Sequence, residues 1–160
     1  MTEAGVTNQK GTAPFVLPPG RGRAGKSWHV LGDTVTPKIT SEDTGGRYCV
    51  LELVSPPGSG TPMHVHHRED ESFYVLEGEF SVQVGGQVHR AAAGSFVFGP
   101  REIPHRYENI GQTTGRLLVM AEPGGIDRMF EEFQSAVVAG RPDMDKIGEI
   151  CRRYEVEFVG

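Results

Sequence analysis

The 160-residue chain reads as an all-β barrel or sandwich with one or two α-helices at its C-terminal end. Three observations predict this. Short runs rich in β-branched and aromatic residues follow one another from Trp28 to Glu122: WHVLGD, TPKIT, RYCVLELVS, SFYVLEG, EFSVQVGG, QVHRAA, SFVFG, RYENI and RLLVMAE. Turn residues punctuate them at 44–46 (TGG), 55–60 (SPPGSG), 85–86 (GG) and 99–100 (GP). The period then changes. In IDRMFEEFQSAVV the apolar residues Ile126, Met129, Phe130, Phe133 and Val137 recur at helical spacing.

Each element follows in order. Residues 1–27 are rich in Gly, Pro and basic side chains and read as a flexible arm or an edge-covering segment. The barrel is expected over 28–123. Within it VQVGGQVH signals a hairpin, because Gly85 and Gly86 can supply the positive φ angles of a primed turn. Residues 124–160 form the helical segment. Gly140 is the expected stop of its first helix, and Pro142 discourages continuation. A second helix is expected from about Asp143 to Arg153, with Ile147, Ile150, Cys151 and Tyr154 on one face. Both helices read as cover for the barrel or a subunit contact.

Composition excludes several functions. A net charge of −5 argues against a nucleic-acid surface, and no helix-turn-helix segment precedes the barrel. No apolar run approaches the roughly 20 residues of a membrane span. The N-terminal MTEAGVTNQKGTAPF lacks the apolar core of a signal peptide. Cys49 and Cys151 have no CxxC partner and read as reduced packing residues of a cytoplasmic protein, with a disulfide between them as the alternative.

The chemistry concentrates in GSGTPMHVHHREDESFYVLEG, residues 58–78. In a strand, alternate side chains share a face, so MHVHH puts His64 and His66 on one side with Val65 and His67 on the other. A turn through HRED returns the chain with Glu71, Phe73 and Val75 on one face. If the two faces meet, a carboxylate lies opposite two imidazoles, a donor set for Fe, Mn, Co, Ni or Zn. Glu69 and Asp70 rival Glu71; their place in the turn makes solvated positions the expectation for both. His105, after a Pro-rich turn, is a fourth candidate, with Tyr107 and Asn109 on its face. His29, His67 and His89 read as ordinary surface or hydrogen-bonded histidines. From strand alternation the pocket walls are expected to include Phe73, Val75, Phe96, Phe98, Tyr107 and Met120, an inventory suited to a flat aromatic ligand.

These residues carry a family resemblance. Gly58, His64-Val65-His66, Glu71 and Gly78 match the first motif of the cupins at every spacing. Gly94, Pro100, His105 and Asn109 match the second, with one departure: Glu102 stands where that motif has a glycine. Beyond the motifs, PFVLPPG, WHVLGD, EDTGG, HVHHREDESFYVLEGEF and the Gly-Gly-Ile then Phe-Glu-Glu-Phe helix resemble the small bacterial quercetinase-like cupins, the flavonol 2,4-dioxygenases.

The resemblance implies a cupin jelly-roll β-barrel holding one divalent transition metal per chain (Ni, Mn, Co, Fe or Zn), with His64, His66, Glu71 and His105 as ligands. It implies a small aromatic substrate, O2 as co-substrate and a homodimer, whose contact is expected at the N-terminal arm and the C-terminal helices. In that group's mechanism the flavonol gives up its 3-hydroxyl proton to Glu71, and O2 then opens the heterocycle. The alternatives are a small-molecule sensor and a polyketide cyclase or isomerase that uses the metal without O2. A structural, storage-type cupin is disfavoured by the complete donor set.

Overall fold

The computed structural model describes residues 12–160. The first eleven residues of the expected arm lie outside the described residues. Within the described part of the arm, the Phe15 ring lies 4.3 Å beneath the Arg23 guanidinium.

Ten strands follow between residues 28 and 122, nine on the expected apolar runs and β4 on MHVHH: β1 (Trp28–Val30), β2 (Asp33–Ile39), β3 (Cys49–Ser55), β4 (His64–His66), β5 (Asp70–Glu77), β6 (Glu79–Val84), β7 (Gln87–Ala92), β8 (Phe96–Gly99), β9 (His105–Asn109) and β10 (Gly115–Glu122). WHVLGD and TPKIT become one hairpin, with Leu31 and Gly32 at positive φ in its turn. In the β6–β7 hairpin only Gly85 adopts positive φ, at +57°.

After the barrel come helix α1 (Ile126–Phe133), a two-stranded hairpin of β11 (Val137–Val138) and β12 (Arg141–Pro142), helix α2 (Met144–Arg153) and strand β13 (Val156–Phe158). The first helix is shorter than its periodicity predicts. It gives way at Gln134 to one 3-10 turn, and Val137 enters the hairpin. Gly140 therefore serves a hairpin turn, together with Ala139, and both have positive φ. The second helix begins one residue after Asp143, whose carboxylate caps it by accepting from Lys146 N at 3.2 Å.

All strand pairs are antiparallel. One sheet has the order β1-β2-β3-β10-β5-β8, and the other β13-β4-β9-β6-β7. The non-consecutive neighbours are those of two wrapped sheets of jelly-roll type. Their inner faces close on Val35, Leu51, Phe73, Val119, Phe80 and Val82. Ile126, Met129 and Phe133 of α1, with Ile147, Ile150 and Cys151 of α2, extend this core under one end of the barrel. The Asp127 carboxylate fixes α1 by accepting from Ser41 N at 2.9 Å and from the Ser41 hydroxyl.

Two local features position the site. Asn109 closes the loop after β9: its amide donates to Ser55 O at 2.8 Å and Thr113 O at 2.9 Å, and its oxygen accepts from Gly111 N. Glu102, at the place of the motif's glycine, takes φ +68°, the backbone conformation a glycine would supply. Its N–H donates to His66 O at 2.8 Å, which ties the turn before β9 to β4.

Cys49 and Cys151 are buried free thiols. Burial pushes Cys49 up to about 12 and Cys151 up to about 11, so both stay protonated at neutral pH. Among the described residues, no helix is long and apolar enough to cross a membrane.

Candidate metal centre

Strand pairing brings the four expected donors together. His64 pairs with His105 across β4 and β9. Glu71 lies opposite Gly99 on β8. The donor atoms of His64, His66, Glu71 and His105 all lie within 4.8 Å of one another. All four residues are buried, His105 to 1% exposure. Two donors on one cation stand at most about 4.2 Å apart, twice a bond of ~2.1 Å. A contraction of a few tenths of an ångström would close this set.

The outer contacts fix which nitrogen faces inward. His64 Nδ1 donates to Pro62 O at 2.8 Å, and His105 Nδ1 donates to Ile103 O at 3.0 Å. His66 Nδ1 lies 3.4 Å from Glu69 Oε2. Each ring thus spends its Nδ1 on the scaffold and presents Nε2 to the centre, as metal-bound histidines do. Glu71 Oε2 lies 2.8 Å from His105 Nε2 and 3.5 Å from His66 Nε2.

The ionisation states of His64 and Glu71 suit a cation. Burial, reinforced by His105 and His66, pushes His64 down to about 4, so it is a neutral ligand. Burial alone would raise the Glu71 carboxyl, but the surrounding imidazoles overcome it and hold it at about 2. His105 moves the other way: burial opposes its charge, and the hydrogen bond to Glu71 raises it. The chemistry of the donor set fits a divalent transition metal.

Next to the donors lies a cavity of about 60 Å³. Its apolar wall comes from Val30, Met129, Phe130, Phe133, Val156 and Phe158, and Asp33 adds a carboxylate. None of the six wall residues expected from strand alternation lines it. Phe73 and Tyr107 are buried behind the donors, with Phe73 5.8 Å from the His105 ring. Val75 is buried deeper in the core. Phe96, Phe98 and Met120 face outward, a correction with a simple cause. On β8 it is Val97 and Gly99 that pair with the inward Phe73 and Glu71, and on β10 it is Leu117, Val119 and Ala121 that point in. Shifting a facing by one residue moves every side chain to the other side.

Two acidic residues depart from expectation. Glu69 is buried at 1% exposure beside His66 instead of solvated. Its place three residues after His66 was the only signal in the sequence. Asp70 is half-buried and pairs with Arg101 at 3.0 Å. The other missed residue, Asp33, sits in a turn-like LGDT stretch that gives no sign of burial. His67 is exposed between Glu102 and Glu157, and His29 and His89 also lie on the surface.

Comparison with known proteins agrees with this geometry. The family profile described as "Cupin domain" matches residues 51–121. Protein SchB of Streptomyces halstedii is 30% identical over 82% of this chain and 80% of its own length. Quercetin 2,3-dioxygenase of Bacillus subtilis is 28% identical over 77% of this chain, which spans only 34% of that protein. The structure of the polyketide cyclase RemF from Streptomyces resistomycificus superposes with a TM-score of 0.54 and 28% identity, covering 61% of this chain and 72% of RemF.

Proposed function

The chain belongs to the cupin family, and we propose that it is a metal-dependent dioxygenase acting on an enol-bearing aromatic of the flavonol type. The observation that carries this reading is the ionised Glu71, buried 2.8 Å from His105 within a convergent set of three imidazoles. One divalent metal per chain (Ni, Mn, Co, Fe or Zn) on His64, His66, Glu71 and His105 would make a bound enol more acidic and hold its oxygen.

The protein's own residues do the rest. Glu71 is the proton acceptor for the enol in this reading, because its carboxylate stands at the centre of the three imidazoles. The Nδ1 contacts to Pro62, Ile103 and Glu69 keep the rings from turning. Phe130, Phe133 and Phe158 exclude water and offer faces for a flat ring. A flavonol is larger than a cavity of about 60 Å³, so these side chains must swing aside when it enters.

The test is oxygen uptake by protein reconstituted separately with each of the five metals, measured with loss of the flavonol visible band. Uptake coupled to loss of the band is expected. No uptake with any metal overturns the oxidative reading. The likeness to RemF favours a second reading, a polyketide cyclase or isomerase with the same donors and no need for oxygen. Conversion of a polyketide substrate under argon would select it.

Homodimer formation belongs to the proposal; instead of the N-terminal arm and the C-terminal helices expected from the sequence, the outer face of the larger sheet is the contact we favour. There Tyr74, Phe96, Phe98 and Met120 are exposed neighbours at the β8 edge, an apolar patch of the kind a second copy would cover.

A further inference from the structure

Inside the barrel, separate from the four donors, is a second buried polar group. Asp33 is only 3% exposed and lines the same cavity as His64, His66 and Glu71. Its Oδ1 accepts from the Ser59 hydroxyl and its Oδ2 from the Tyr107 hydroxyl. Among the described residues, no Lys, Arg or His comes within ion-pair distance of it. A carboxylate has about four acceptor positions, and these two hydroxyls fill two. Beside Tyr107 lies the fully buried Ser55 hydroxyl.

A buried carboxylate without a cation is costly unless its oxygens are well supplied with donors. Here two hydroxyls supply two of about four acceptor positions. Asp33, with acceptor capacity left over, therefore lines a cavity that is also lined by three of the four metal-donor residues. The centre suits an anionic oxygen, and Asp33 suits the opposite, a neutral hydroxyl that donates.

We propose that Asp33 is a specificity-determining residue that accepts a hydrogen bond from a hydroxyl on the ligand, remote from the oxygen held at the His64–His66–Glu71–His105 centre. The ligand class is then an enol or phenol carrying a second, distal hydroxyl. This rests on the proposed function, because it takes the metal-directed end of the ligand from that reading. Tyr107 and Ser59 are positioning residues: each donates to one Asp33 oxygen and so fixes how the carboxylate faces the cavity.

The probes are kojic acid and allomaltol. Both are hydroxypyranones with adjacent enol and ketone oxygens that chelate a metal. They differ only in a hydroxymethyl group against a methyl group. Calorimetric titration of metal-loaded protein measures each affinity. The wild type is expected to bind kojic acid ~10-fold or more tighter than allomaltol, the range for a hydrogen bond to a buried charge. Asp33→Asn is expected to cut the ratio to about 2-fold, with allomaltol affinity unchanged, because only the charge-assisted bond is lost. Tyr107→Phe keeps the carboxylate but removes one of the two donors that orient it, and is expected to lower the preference without abolishing it.

A purely structural Asp33 would lower the melting temperature of Asp33→Asn and leave the ratio unmoved. Equal binding of the two probes by the wild type overturns the assignment even if Asp33→Asn fails to fold, and leaves the proposed function standing. Failure of both probes to bind metal-loaded protein overturns both.

Discussion

The donor end of the barrel and the Asp33 end are buried to the same degree, yet they compensate their charges in opposite ways. At the donor end Glu71 faces three imidazoles, each anchored through its second nitrogen. At the Asp33 end a carboxylate has only neutral hydroxyls, and the Tyr107 phenol, pushed well above its ordinary range by burial and by Asp33, remains a donor at all physiological pH. Burial alone therefore does not tell a metal site from a hydrogen-bonding site. The partners do: lone pairs converging on one point call for a cation, and unspent acceptor positions call for a donor.

The sharpest way to break the comparison is to remove one partner at each end and measure metal. His66→Ala or His105→Ala is expected to weaken affinity for a divalent metal by more than ~10²-fold, since changing even an outer-contact partner costs 10–100-fold. Glu69→Gln, which alters only the outer contact to His66, is expected within that ~10–100-fold range. Asp33→Asn is expected to retain one equivalent of metal. Elemental analysis after dialysis against a competing chelator reads all four. Metal loss from Asp33→Asn equal to that from His66→Ala would merge the two ends into one site.

A second experiment divides the donor end itself. Glu71→Gln keeps the shape and removes both the charge and the proton acceptor. At equal metal content, turnover is expected to fall ~10²-fold or more, the low end of general-base catalysis. Rate should recover as pH rises, because more substrate arrives already deprotonated. Near-normal turnover of metal-loaded Glu71→Gln at neutral pH would remove the base role, and Glu69, buried beside His66, would be the next carboxylate to test.

How much of this was legible in the sequence follows the same division. The donor set could be read because its residues sit at fixed spacings on strands whose alternation is strict, as in the inward Glu71, Phe73 and Val75. Alternation failed at β8, where Phe96, Val97 and Phe98 are all apolar and either face could be the inner one. The cavity wall was illegible for a different reason. Phe130, Phe133 and Phe158 come from the C-terminal segment, and only tertiary docking carries them to the barrel mouth. β13 is three residues long with a central Glu157, too short to signal a strand, yet it pairs along β4, which carries His64 and His66. Asp33 and Glu69 look like surface residues because the partners that justify their burial are distant in sequence or irregular in spacing.

The smallest expected effect concerns Glu102, whose turn supports the donor end and leaves the Asp33 end untouched. Its φ of +68° puts a Cβ in the left-handed region, where a non-glycine residue is strained by roughly 1–2 kcal/mol. The N–H bond to His66 O holds the backbone there, and the side chain pairs with His67. Two substitutions separate these contributions. Glu102→Ala removes the pairing and keeps the strain, whereas Glu102→Gly removes both. At an ordinary position glycine is the less stable of the two by about 0.5–1 kcal/mol, because it loses more freedom on folding. Here the order should invert, with Glu102→Gly more stable than Glu102→Ala by about 1 kcal/mol, since alanine is strained at positive φ and glycine is not. Urea unfolding midpoints of the two metal-free variants measure the difference, and equal slopes would show that only stability changed. Alanine matching or exceeding glycine would mean that the turn before His105 does not take the left-handed conformation, and the tie between Glu102 and His66 would go with it.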